Sequence, residues 1–341
     1  MELPHIGRLV AGPRNSIVDV AGVTVGHCTL DQGAVQTGVT VVVPQDGDLF
    51  THKLPAAVAV INGFGKSAGL VQVEELGTLE TPIALTNTFS VGTVVTAQIR
   101  HALRANPEIG RGLPTVNAVV MECNDGYLND LHAFAVQEAH FNQALAAASA
   151  EVEQGAVGAG RGMSCFGMKG GIGSASRKAT VGAGGNEFTV GALVLSNFGK
   201  LPELILAGRP LGRELAAADA ADKAPEKGSI IMILATDAPL DARQLKRLAN
   251  RAGVGLARTG SAWGHGSGDI ALAFSTAQRI ESDSECVHLA LLADHLLDPL
   301  FHAAADSVEQ AIVNALFAAD SLIGRDGHRR ESLRDRLARL P

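Results

Sequence analysis

The sequence predicts a mixed α/β fold in one domain, on three observations. Short apolar runs rich in Val and Ile recur along the chain and end at Gly, Pro or Asn, which is strand patterning. Between them lie longer segments whose apolar residues recur at helical spacing. No linker-like stretch or internal repeat divides the 341 residues, so one core is expected from residue 1 to residue 341.

Taken in order, Ile17 to His27 reads as strand, turn and strand, and Val39 to Val43 as a strand closed by Pro44. Ala57 to Ile61 is a buried-strand pattern followed by the polar loop Asn62-Gly63-Phe64-Gly65-Lys66-Ser67. Glu80 to Thr88 gives a short strand, Gly92 to Leu103 a helix, and Asn117 to Glu122 a strand. The loop Cys123 to Asp130 holds the single tyrosine, Tyr127. Phe134 to Val152 reads as a helix, the glycine-dense stretch 155–185 as tight turns between short strands, and Thr189 to Leu195 as a strand. An Ala-, Asp- and Lys-rich segment, 213–227, precedes the apolar run Ser229 to Ala235. Asp241 with Gln244 three residues on has capping-box spacing and opens a helix expected to end at Gly253. Ile270 to Phe274 is a strand, Ser284 to Asp320 two helices divided at Asp298-Pro299, and the tail from Arg325 a charged, loosely held end.

The composition bounds the function. Hydrophobic residues make up 46%, and the 39 glycines with only 4% aromatics predict many tight turns and close backbone contacts. Net charge is −7 and the isoelectric point about 5.9, which disfavours a nucleic-acid binder, since that needs a basic face. Cys28, Cys123, Cys165 and Cys286 are widely spaced, so reduced core thiols are expected rather than a disulfide framework or a thiolate metal site. No secretory h-region and no membrane-length apolar run is visible, so a cytoplasmic protein is expected.

The chemistry centres on Gly228-Ser229. A serine hydroxyl is a poor nucleophile without a neighbouring base. An N-terminal serine carries its own, an α-amino group with a pKa of roughly 7.7–8.0. Cleavage of the Gly228–Ser229 bond by the chain itself would create such a residue. Glycine suits the scissile position because no Cβ hinders attack on its carbonyl. By itself the dipeptide fits equally a turn followed by a strand start. The loop at Asn62–Ser67 carries a Gly-Lys-Ser after a strand but lacks the first glycine of a P-loop, so a nucleotide-binding or structural protein is the competing reading.

Motifs along most of the chain carry a resemblance. They are Val18 to His27, Asn62 to Lys66, Glu74 to Ile83, Asn124 to Asp130, Gly162 to Gly167 with Lys169 to Gly173, Ser196 to Gly199, Gly228-Ser229, Ala235 to Pro239, and His265-Gly266-Ser267-Gly268-Asp269. The sequence resembles the L-aminopeptidase/D-esterase (DmpA-like) family, which includes the β-peptidyl aminopeptidases. The resemblance implies a four-layer α/β/β/α sandwich of the DmpA and ornithine-acetyltransferase kind. It implies self-cleavage into 1–228 and 229–341, assembly as a homo-oligomer, and release of N-terminal residues from short peptides, amides or esters. An acyltransferase of the ornithine-acetyltransferase type is the related alternative, disfavoured because those enzymes carry threonine where this chain has Ser229.

On this resemblance Ser229 is the nucleophile, Ser267 and Asp269 assist it, and Asn197 donates to the oxyanion. Aspartate stands at 269 where β-peptidyl members are expected to carry glutamate. Apart from the resemblance, Ser267 reads as a turn hydroxyl and Asp269 as a strand-end cap. Glu122 is the candidate for the substrate ammonium, because a carboxylate is its simple partner. Tyr127 is a candidate pocket wall or oxyanion helper, and otherwise reads as a satisfied buried tyrosine. His265 is a conceivable base that an amine base makes unnecessary. No metal or cofactor is required.

Overall fold

The structure, a computed structural model, describes residues 2–216 and 228–340. Most of the Ala-, Asp- and Lys-rich segment before Gly228 therefore lies outside the described residues.

The strands that build the layers are β1 (Thr24–Gln32), β2 (Val35–Val43), β3 (His52–Gly63), β4 (Ile83–Asn87), β5 (Val119–Cys123), β6 (Gly171–Val181), β7 (Asn186–Asn197), β8 (Ser229–Thr236) and β9 (Gly268–Ser275). The helices that cover them are α1 (Val91–Ala105), α2 (Glu138–Ala146), α3 (Ala242–Ala249), α4 (Ala252–Arg258) and α5 (Asp298–Ala318). One sheet has the order β1-β2-β4-β5, antiparallel except for the β4–β5 pair. The larger runs β3-β9-β8-β7-β6, antiparallel except for β8–β9.

Alternation along the strands builds the layers. Ile231, Ile233 and Ala235 of β8 join Leu193, Leu195, Ile270 and Leu272, and meet Val25, Val42, Leu85 and Met121 of the smaller sheet. Ile230, Met232 and Leu234 point the other way, onto Leu245, Leu248, Leu256, Val308 and Ile312 of α3, α4 and α5. On the far side of the smaller sheet, Val39, Val41 and Val120 pack on Val94, Ala97 and Phe141 of α1 and α2. The layers are therefore α/β/β/α. A strand buried on both faces needs apolar side chains at every position, which is why β8 reads as an unbroken apolar run.

Glycine sets how closely α5 approaches. A Cβ on Gly173 of β6 would lie 1.9 Å from the Ala311 carbonyl oxygen, so only glycine lets the helix lie flat on that strand. This also explains a misreading: 171–181 is one long strand, not a series of turns.

Other expectations change too. Residues 17–19 form a 3₁₀ turn rather than a strand. The predicted helix 134–152 shortens to Glu138–Ala146. Asp241 caps α3 through the Gln244 amide at 2.7 Å as predicted, but Gly253 lies within α4 instead of ending the first helix. Only the second half of 284–320 is helical, because Pro299 opens α5 at its first turn, where its missing N–H costs nothing. Of the cysteines, Cys123 and Cys165 are buried and Cys286 is exposed. The tail is held: Leu333 is fully buried and Arg330 lies 3.6 Å over the Tyr127 ring. No helix among the described residues is long and apolar enough to cross a membrane.

Candidate active site

Ser229 is the first residue of β8. The ladder sets it opposite Asn197, the last residue of β7, and beside Gly268, the first of β9. It shares the parity of Ile231 and Ile233, so its side chain belongs to the face between the sheets. Asn197 shares the parity of Leu193 and Leu195, and Cys123 at the end of β5 that of Val119 and Met121. Three strand ends thus aim side chains into one edge of the inter-sheet core. The Cys123 thiol donates to the Leu195 carbonyl at 3.5 Å; burial pushes it up, Glu122 adds to this, and Ser229 opposes it.

The Asn197 amide is clamped at both ends. Its Oδ1 accepts from the Ser164 backbone N–H at 2.8 Å, and its Nδ2 donates to the Asn124 carbonyl at 2.9 Å. One Nδ2 hydrogen is left for another acceptor.

The Ser267 hydroxyl donates to Asp269 Oδ1 at 2.7 Å, and both residues are buried. An aspartate at 269 therefore reaches Ser267. Alternation in β9 puts Asp269 on the face of Ala271 and Ala273, the helix side. The pair flanks Gly268, the ladder neighbour of Ser229, where the β9–β3 register also shifts between Asp269 and Ile270.

Glu122 is 3% exposed. Its Oε1 accepts from the Lys66 backbone N–H at 2.8 Å and its Oε2 accepts from the Thr88 hydroxyl. Its carboxyl lies close to Gly65, whose Cβ position is 3.7 Å from Oε1 and 3.9 Å from Gly268 Cα. Tyr127 is held differently. Its ring stacks on His328 with centroids 4.7 Å apart, and Arg330, which covers it, donates to Ser164 Oγ at 3.2 Å. His265 is exposed and packs near Phe64.

The Asn62–Ser67 loop does not form a phosphate cradle. Asn62 Nδ2 donates to the carbonyls of Gly264 (3.0 Å) and Ser267, tying down the loop that carries Ser267. The Lys66 amide faces a carboxylate, and the Lys66 ammonium lies 4.0 Å over the Phe64 ring. The next helix begins only at Leu70. A phosphate at that amide would displace or oppose Glu122, so the nucleotide reading is corrected.

Sequence reasoning missed the part played by Cys123, Thr88 and Asn62. Cys123 had a signal, since it closes the β5 alternation that contains Glu122. Asn62 was in view, but its loop was read for Lys66.

Residues 15–330 match peptidase family S58. The chain is 41% identical to a β-peptidyl aminopeptidase, BapA, of Sphingosinicella microcystinivorans, over 96% of this chain and 86% of the relative. It superposes on the PH0078 protein of Pyrococcus horikoshii with a TM-score of 0.93 at 48% identity, covering 98% of this chain and 96% of that one. The L-aminopeptidase D-Ala-esterase/amidase of Ochrobactrum anthropi, described as a prototype serine aminopeptidase with a variant Ntn-hydrolase fold, matches with a TM-score of 0.90 at 35% identity, over 99% of this chain and 98% of that one. With the same fold end to end and a family match over nearly all its length, the chain belongs to peptidase family S58.

Proposed function

We propose that this chain is a self-processing serine aminopeptidase and amidase that releases N-terminal residues from short peptides, amino-acid amides or esters. The observation that carries the reading is the placement of Ser229: it starts a central strand, opposite the clamped amide of Asn197 and beside the loop end that bears Ser267 and Asp269.

Processing comes first. Ser229 Oγ attacks the Gly228 carbonyl carbon, the peptide C–N bond breaks, and the freed nitrogen takes the hydroxyl proton. The resulting ester is hydrolysed by water, leaving a Gly228 carboxylate and Ser229 as a free N-terminus. In catalysis the Ser229 α-amino group accepts the Oγ proton as Oγ attacks the substrate carbonyl. The Asn197 Nδ2–H donates to the oxyanion, an effect worth about 3 kcal/mol when well aimed. The leaving amine or alcohol takes the proton, and water then hydrolyses the acyl-enzyme.

Asp269 and Ser267, on either side of the ladder neighbour of Ser229, are assigned to its α-amino group, with the carboxylate stabilising the ammonium as it forms. Glu122, fixed by Lys66 N–H and Thr88, receives the substrate ammonium, and Tyr127 lines the approach. The processed protomers assemble as a homo-oligomer in the cytoplasm.

Denaturing electrophoresis of purified protein tests this together with N-terminal sequencing. Two pieces are expected, 1–228 and 229–341, the smaller beginning Ser-Ile-Ile-Met, with hydrolysis of amino-acid anilides. A persistent full-length band without hydrolysis overturns it.

A further inference from the structure

Two fully buried ionisable side chains lie in the segments that clamp the Asn197 amide, and the chemistry above uses neither. Asp125 and Lys169 are both 0% exposed. Burying a charge is costly unless hydrogen bonds and a partner offset it, so apolar residues would serve a purely structural core better.

Each belongs to one half of the clamp on Asn197. Asp125 follows Asn124, whose carbonyl accepts from Asn197 Nδ2. Its Oδ1 accepts from Asn129 Nδ2 at 3.0 Å, and Asn129 Oδ1 accepts from the Gln36 backbone N–H at 3.0 Å, so the 124–129 turn is pinned to β2. Lys169 Nζ donates to the carbonyls of Gly160 (3.0 Å), Met163 (2.8 Å) and Gly170 (2.7 Å). Met163 precedes Ser164, whose N–H donates to Asn197 Oδ1, and Ser164 pairs with Lys169 across a two-residue ladder.

The halves meet at Gly162. A Cβ there would lie 2.9 Å from Asp125 Cβ and 2.2 Å from the Gln36 carbonyl oxygen. Asp125 therefore packs against the strand of backbone that Lys169 holds. The Thr37 hydroxyl is a second polar group facing this carboxyl, beside the Asn129 amide. Burial pushes the Asp125 carboxyl up to about 7, and the Thr37 hydroxyl, the Asn129 amide and Lys169 oppose that rise. Lys169 is drawn down to about 7 by burial and by Arg161.

We propose that Asp125 is a positioning residue for the oxyanion donor: from its place against Gly162 it fixes the Asn124 carbonyl and the Gly162–Ser164 backbone that together aim the Asn197 amide. This rests on the reading of Asn197 as the oxyanion donor.

The test is steady-state hydrolysis of an amino-acid anilide by the full-length protein after processing, with rates expressed per cleaved chain. Asp125→Ala is expected to lower kcat at least tenfold with KM within twofold. Asp125→Asn keeps an acceptor for the Asn129 amide and is expected to recover kcat to within threefold of wild type. A kcat for Asp125→Ala within threefold of wild type, a KM that rises in step, or failure of Asp125→Asn to recover activity each overturns the proposal. If Asp125→Ala yields no soluble protein, Asn129→Ser decides: kcat falls at least threefold at constant KM on the proposal and stays at the wild-type value otherwise. Asn197→Ala is run beside them. If it hydrolyses as wild type does, the oxyanion reading fails and takes this inference with it. If Asn197→Ala is impaired and Asp125→Ala is not, this inference alone fails.

Discussion

Asn197 and Ser229 face each other across the last rung of the β7–β8 ladder, and the Asn197 amide is fixed there by the Ser164 N–H and the Asn124 carbonyl. A donor held in place before the reaction needs no reorganisation when negative charge develops. Asn197→Ala is therefore expected to lower kcat by about 10²–10³ with little change in KM. Steady-state kinetics on the cleaved enzyme check it, and a variant whose kcat stays within threefold of wild type refutes the role.

The Ser267–Asp269 pair makes a different prediction, because the proposed mechanism assigns it to the amine. A nearby carboxylate favours the ammonium form and so raises the pKa of the Ser229 α-amino group. Asp269→Asn removes that charge. The acid limb of the kcat/KM profile, set by loss of the free amine, is expected to move to lower pH, with kcat falling about tenfold as the hydroxyl contact loosens. A pH–rate profile from pH 5 to 10 measures both. An acid limb that does not move shows that Asp269 does not sense the amine.

The role proposed for Glu122 separates binding from chemistry. Glu122→Gln keeps an acceptor for the Lys66 N–H and removes the charge that would meet the substrate ammonium. A charge-assisted hydrogen bond contributes about 1.5–3 kcal/mol, so KM for amino-acid anilides is expected to rise about tenfold or more. An ester substrate lacking a free amine should show no such rise. Equal effects on both substrates would assign Glu122 to the loop alone.

The central strands and their order of burial were legible because period and composition agree there. Ser229–Thr236 and Gly268–Ser275 follow the expected runs to within a residue or two. Long-range packing overrode local pattern elsewhere. Gly171 and Gly173 made β6 read as turns, yet Gly173 is there for the approach of Ala311. Leu289, Leu292 and Leu296 imitate helical spacing in a segment that is not helical apart from a 3₁₀ turn. At the site, Ser229, Asn197 and Ser267 could be named from motifs. The clamp on Asn197 could not, because Ser164 and Asn124 lie 33 and 73 residues away in the chain and only the fold brings them together. Glu122 was legible as a carboxylate at a strand end, while its anchors Lys66 and Thr88 are again tertiary.

Buried Asp125 carries a signature in stability as well as in rate. Its carboxyl moves from 3.8 to about 7 on folding, chiefly through burial. A group whose pKa is raised in the folded state contributes stability that is complete below its unfolded pKa and is lost as pH rises through the folded one. Wild type should therefore lose stability from this group between pH 3.8 and about 7, and little further above that. Lys169 acts in another window: its pKa falls from 10.5 to about 7, so its contribution is present above 10.5 and is lost as pH drops toward 7. Asp125→Asn removes the first effect and, to first order, leaves the second. The melting temperature of Asp125→Asn relative to wild type is thus expected to climb from pH 4 to pH 7 and then level off. Thermal unfolding of both proteins across that range reads the difference directly, and parallel curves would mean that the Asp125 carboxyl ionises in the folded protein as it does in the unfolded chain.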